Sequence, residues 1–183
     1  MIEAMAGLQW FALAVVPRKE KATARALRTM GYEEFLPLYR ERRRWSDRMQ
    51  TVEMPLFPGY VFCRLDARDR LPVLKMSTVH SFVGLGKSPV PVPESEIEAL
   101  RLACSSGLNP LPCAYLTIGA KVTIKEGPLA GVEGILTENR TTRLVLSVTL
   151  LQRSVEVEID RNWIAPLQTY AGFGSPDTDS PII

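Results

Sequence analysis

The chain has 183 residues, 46% of them hydrophobic and 23% charged, with a formal net charge of +2. That length suits one or two domains. No apolar run approaches the roughly 18 residues that span a bilayer, and the first residues lack the basic-then-apolar order of a signal peptide. Cys63, Cys104 and Cys113 are odd in number and unevenly spaced, which predicts reduced thiols in a cytoplasmic protein that touches no membrane. Charge is distributed unevenly. Residues 1–106 hold 16 Lys/Arg against 12 Asp/Glu, and residues 107–183 hold 6 against 8. The basic first part hints at a polyanion or an acidic protein surface as partner.

Leu8 to Val16 is apolar and β-branched, and reads as a buried strand ending at Pro17. Pro17-Arg18-Lys19-Glu20 opens a helix, since proline suits the first helical turn. Ala22, Ala26, Leu27 and Met30 share one face of it, and Gly31 ends it. Tyr32 to Tyr39 returns as a strand. Arg40, Arg42, Arg43, Arg44 and Arg48 then fall within nine residues around Trp45-Ser46-Asp47, the tip of a hairpin whose second strand is Gln50 to Met54.

Pro55-Leu56-Phe57-Pro58-Gly59-Tyr60-Val61-Phe62 follows. Pro58-Gly59 is turn chemistry, so Phe57 and Tyr60 flank a stiff corner at the mouth of a strand running to Leu65. Such a corner is either core or a preformed docking surface. A short helix is predicted within Ala67 to Met76 and a strand over Val79 to Leu85. Pro89, Pro91 and Pro93 predict an extended linker, and Glu94 to Cys104 a helix with acidic residues at its positive end. Gly107, Asn109, Pro110 and Pro112 mark a domain boundary. Beyond it, short strands over 121–125, 132–137, 144–150, 154–159 and 163–166 recur at the spacing of a small barrel. Residues 168–183 read as a disordered tail.

Catalysis has little support. His80 is the only histidine and has no cysteine partners at zinc-ligand spacing. There is no phosphate loop and no nucleophile elbow. Asp66 and Asp69 suggest no acid/base pair. The expectation is a protein without metal or cofactor that is not an enzyme.

Two groups of residues resemble a known family. Val122-x-Ile124-x-x-Gly127-Pro128-Leu129-x-Gly131-x-x-Gly134 resembles a KOW motif. Trp10-Phe11, Pro17-Arg18-Lys19-Glu20, Leu56 to Phe62, Val79 to Gly86 and Pro91-Val92-Pro93 resemble the amino-terminal domain of NusG proteins. The stretch from Leu85 to Pro93 is similar to a specialised, RfaH-like paralogue. The resemblance implies an α+β fold: an amino-terminal antiparallel sheet with about three helices over residues 8–106, a linker over 107–116, and a small SH3-like all-β KOW barrel over 117–167.

It also implies a transcription elongation or antitermination factor, monomeric, that binds the clamp helices of RNA polymerase through its amino-terminal domain. Phe57, Pro58 and Tyr60 match the family's motif, with Phe11 and Phe82 expected to line the same concavity. Non-template or upstream DNA is the second implied partner, held by phosphate contacts from Lys19, Arg25, Lys75, Ser77 and Thr78. Arg42, Arg43 and Arg44 are candidates for phosphate or for an acidic surface, with Trp45 able to stack on a base. Through Leu129 the KOW domain is expected to recruit a small ribosomal-subunit protein or a termination factor. The alternative is a ribosome-associated or RNA-binding KOW protein. No stable helical form of the KOW region is expected, because Val145, Val148, Val155, Val157 and Ile159 favour strand.

Overall fold

A computed structural model describes residues 7–45, 48–86, 88–113, 115, 120–138 and 141–166. The first strand sets the plan. β1 (Leu8–Val15) alternates its side chains across the sheet, and both sets are buried. Trp10 and Ala12 enter one core, while Phe11, Leu13 and Val15 enter another.

Helix α1 (Glu20–Thr29) starts three residues later than Pro17 predicts, because Arg18 takes a left-handed turn (φ 67°) and Lys19 becomes the N-cap. It ends in a Schellman motif. Gly31 has φ 86°, its N–H donates to Arg28 O at 3.0 Å, and the Tyr32 N–H donates to Leu27 O at 3.1 Å. The predicted strand 32–39 divides into β2 (Glu33–Phe35) and β3 (Leu38–Trp45), with Leu36 and Pro37 between them. β3 forms a hairpin with β4 (Arg48–Pro55), and β5 (Tyr60–Asp66) follows the aromatic corner. A 3₁₀ turn (Ala67–Asp69) and the short helix α2 (Leu71–Leu74) lead to β6 (Val79–Phe82), β7 (Gly84–Leu85) and β8 (Ser88–Pro89).

The proline-rich stretch is not a free linker. β9 (Pro91–Val92) pairs antiparallel with Trp10 and Phe11 of β1, at the edge where proline is tolerated. Helix α3 (Glu94–Ser105) comes next. The boundary segment also contributes structure, since β10 (Leu111–Cys113) joins the sheet of the strands after it. Those strands are β11 (Ala120–Ile124), β12 (Glu133–Glu138), β13 (Thr142–Val148), β14 (Arg153–Glu158) and β15 (Ile164–Pro166). The leucine-rich stretch 144–151 is strand β13 followed by a single 3₁₀ turn. The expected tail lies outside the described residues.

The fold is α+β. One antiparallel sheet has the order β2-β5-β1-β6 with β9 also on β1; a second has the order β10-β14-β13-β12-β11-β15; β3-β4 and β7-β8 are separate ribbons. One core lies between the first sheet and α1, where Phe11, Leu13, Val61, Cys63 and Leu65 meet Ala24 and Leu27. The other runs without a break from Trp10, Ala12 and Phe62 through Ile97, Leu100 and Ala103 of α3 into Leu144, Leu146 and Val155 of the C-terminal sheet. Among the described residues no helix is long and apolar enough to cross a membrane.

Two predictions follow from packing. A Cβ on Gly134 would stand 2.7 Å from the Val145 carbonyl oxygen and 2.8 Å from Leu144 Cδ1. The backbone atom has nowhere to go, so Gly134→Ala should lower stability by about 1–3 kcal/mol, read from the urea midpoint. The second concerns the thiols. Burial, reinforced by Glu34 and Glu33, pushes Cys63 up to about 12 from its ordinary 9.0. Burial likewise raises Cys104 and Cys113 to about 11. The folded chain therefore keeps protons that the unfolded chain releases above about pH 9. This contribution is complete below pH 9 and is lost as pH rises towards 11 and 12. The urea midpoint should fall over that range, and less steeply in Cys63→Ala.

Candidate docking and nucleic-acid surfaces

The corner at residues 57–60 is fastened by several backbone hydrogen bonds. The Leu56 N–H donates to Pro37 O at 2.9 Å, Tyr60 N–H to Phe57 O at 3.1 Å, and Val15 N–H to Gly59 O at 2.9 Å. Gly59 has φ 85°, a conformation that favours glycine. Its N–H donates to a carboxylate oxygen of Glu20 at 2.8 Å. Glu20 is only 5% exposed, so the first residue of α1 is spent on holding the turn. The sequence gives no hint of this role, because an acidic residue at a helix start already has an explanation in the helix dipole.

The rings at the corner have different fates. Phe57 is 1% exposed and meets Phe62 edge-on, with centroids 5.9 Å apart. It is core, not a presented anchor. Pro58 is exposed and Tyr60 half-buried. Over the Tyr60 ring lies Arg153 of β14, 5.2 Å from the centroid, in cation–π range. Nearby, a Glu96 carboxylate on α3 accepts from the Thr149 N–H at 3.2 Å and from its hydroxyl at 2.8 Å. The C-terminal sheet is thus seated beside the corner, and a cleft of about 560 Å³ opens between it and α3, lined in part by Glu96, Glu98, Leu102 and Glu133.

The five aromatic-corner candidates do not share one concavity. Phe11 and Phe82 pack edge-on at 5.8 Å on the α1 side of the sheet, whereas Phe57 and Tyr60 pack on the other side. Strand alternation causes the split: Ala12 pairs with Phe62, so its neighbour Phe11 faces away. Trp10, which is not among the candidate site residues, lies on the Phe57 side. The Trp10 indole N–H donates to Glu94 at 3.1 Å, and Arg101 lies 4.7 Å from its ring centroid while bonding Glu33 at 2.8 Å.

Some of the phosphate-contact candidates are brought together. The Thr23 hydroxyl lies 2.8 Å from that of Thr78 and donates to Lys19 O at 2.9 Å, and Val16 N–H donates to Thr78 O at 2.9 Å. Lys19, Ser77 and Thr78 therefore meet where α1 begins, with exposed Lys75 two residues before Ser77. Arg25 lies elsewhere on α1, on a shallow groove with Lys21, Arg28 and Glu34. Arg42, Arg43 and Arg44 are exposed on the β3–β4 ribbon. Leu129 does not offer itself to a partner. It is fully buried, so the leucine after Gly127-Pro128 packs inward with Ile124 and Val132 in the same cluster. His80 is exposed on β6, and among the described residues no group of His, Cys, Asp and Glu is placed to hold a metal ion.

Comparison with known proteins agrees with this architecture. The family described as "Transcription termination factor nusG" matches residues 8–101. The transcription termination/antitermination protein NusG of Campylobacter jejuni is 29% identical over 164 residues, covering 82% of this chain and 93% of that protein. The corresponding protein of Thermus thermophilus is 27% identical over 175 residues, covering 84% and 95%. Among solved structures, one on domain interaction in Thermotoga maritima NusG superposes with a TM-score of 0.52 at 20% identity, covering 88% of this chain and 98% of that one. The chain belongs to the NusG family of transcription termination and antitermination factors, which are not enzymes.

Proposed function

We propose that this protein binds RNA polymerase through the sheet face that carries Pro58 and Tyr60, and that its C-terminal sheet acts as a KOW domain that recruits a second factor. NusG-family factors interact with RNA polymerase and with other factors. The single observation that supports the site is the corner itself: an exposed proline and a half-exposed tyrosine on a turn clamped by Glu20, Val15 and Phe57. A rigid turn offers apolar area at little ordering cost. Phe57 contributes by fixing that turn from beneath, and Phe11 and Phe82 by filling the core behind the sheet.

Arg153 and the C-terminal sheet share the face that a pair of polymerase helices would use. Docking therefore requires the Tyr60–Arg153 and Glu96–Thr149 contacts to open. Lys19, Lys75, Ser77 and Thr78, gathered at the start of α1, suit phosphate contacts to the DNA beside a docked polymerase, giving affinity without base reading. Favouring one state of the polymerase over another by differential binding would alter pausing or termination. The protein would act in the cytoplasm and as a monomer.

Pull-down of core RNA polymerase by the full chain checks this reading. Tyr60→Ala should weaken retention by about 2 kcal/mol, the loss of a central anchor, while Arg153→Ala should strengthen it by freeing the face. Retention unchanged in both Tyr60→Ala and Pro58→Ala would remove the site. Glu20→Ala should cost about 1.5–3 kcal/mol of stability, the range for a hydrogen bond to a charged group, and Glu20→Gln less, as thermal unfolding of the two variants would report.

A further inference from the structure

Polymerase docking at Tyr60 leaves the β3–β4 ribbon without a role. It belongs to no larger sheet. Its base is fastened to the body: Arg40 N–H donates to the side-chain oxygen of Asn109 at 2.8 Å, the Asn109 amide donates back to Arg40 O at 3.2 Å, and Glu53 pairs with Lys21 at 3.5 Å. From Arg40 to Trp45 the ribbon extends about 17 Å at ~3.3 Å per residue. Residues 42–44 and 48–51 are exposed along it.

Five arginines stand on this ribbon, Arg40, Arg42, Arg43, Arg44 and Arg48, against two carboxylates among its described residues, Glu41 and Glu53. Glu41 is taken by Arg43 at 2.9 Å and Glu53 is engaged by Lys21. Among the described residues, Arg42, Arg44 and Arg48 have no carboxylate partner. Concentrating guanidinium groups on one thin arm costs self-repulsion that a bound polyanion would relieve.

Register shows where they point. Arg42 lies opposite Thr51 and Arg44 opposite Met49, so both belong to the face of Arg40. Arg43 lies opposite Gln50 and Arg48 opposite Trp45, which places them on the other face. A flat acidic surface or one nucleic-acid strand would meet only one of these faces. A groove has phosphates on both sides. The major groove of B-form DNA, about 12 Å wide, admits a two-stranded ribbon, whereas the A-form RNA major groove is deep and narrow.

We propose that the β3–β4 ribbon is a DNA-binding arm that enters the major groove of a duplex and holds its phosphates through Arg42, Arg44 and Arg48. The polar and mixed character of the opposing strand, with Gln50 and Thr51 between exposed Met49 and half-buried Val52, suits backbone gripping with little sequence preference.

Fluorescence anisotropy of the full chain with a 20-base-pair DNA duplex, at several salt concentrations and with no polymerase present, tests the arm separately from polymerase docking. Arg42→Ala/Arg44→Ala should weaken duplex binding by about tenfold near 0.1 M salt and lower the slope of log K against log salt by about 2, since each phosphate contact contributes ~0.9. Arg42→Lys/Arg44→Lys should keep the slope. Arg68→Ala, whose side chain is already paired with Asp66, should leave it unchanged. An unaltered slope in the double alanine variant, absence of salt-dependent duplex binding by the unmodified chain, or equal binding of single-stranded DNA or an RNA hairpin would each overturn the proposal. Circular dichroism of the double variant checks that the fold survives, and these exposed positions lie outside both cores.

Discussion

Everything in the amino-terminal half depends on β1 being buried on both faces. A strand with two wet or half-wet faces can slip in register; one whose odd and even side chains each have a core cannot, because a one-residue slip would exchange Trp10 and Ala12 for Phe11 and Leu13. Four other strands take their positions from it: β5 along one edge, β6 and β9 in turn along the other, and β2 through β5. Helix α1 covers one face. Helix α3 and the C-terminal sheet cover the other. The second core is thus shared between the two halves of the chain, so docking at Tyr60, as proposed, would be coupled to where the C-terminal sheet sits.

Electrostatics refines this plan and does not create it. On the α3 side, Arg64 and Arg101 bridge Glu33, Glu94 and the Trp10 ring. Each contact is partly exposed and individually modest, but together they align the helix across the sheet. Between the halves, polar contacts among the described residues include Glu96 with Thr149 and Arg153 over Tyr60. Most of the adhesion there is apolar and therefore not directional. Glu20, a deeply buried acid, is used locally, to hold the Pro58-Gly59 turn.

Strand and helix positions were readable from local chemistry. Gly31 stops α1, the turn residues separate β11 to β15, and alternating Val155, Val157 and Ile159 sit in the core as alternation requires. What could not be read was long-range. Nothing local says that Pro91-Val92 will zip onto Trp10-Phe11, since alternate prolines look identical in a linker and at a sheet edge. Phe11 and Phe57 resemble each other in sequence, yet a parity rule known only once Ala12 meets Phe62 sends them to opposite faces. Leu129 and Phe57 both follow or precede a proline turn and both read as presented, but each fills a core whose other wall lies many residues away. The arginine cluster was visible from spacing alone. Its division between two faces required the pairing of β3 with β4.

The Asn109 side chain has a further consequence. Its carboxamide takes one hydrogen bond from Arg40 and gives one back, as a neighbouring peptide group would. A single residue, held with φ 49°, thereby imitates one rung of a third strand and closes the exposed flank of the hairpin where it leaves the body. An open flank there would invite a second molecule to add a strand and grow an aggregate. Asn109 caps that growth point while leaving the outer stretch of the arm unencumbered.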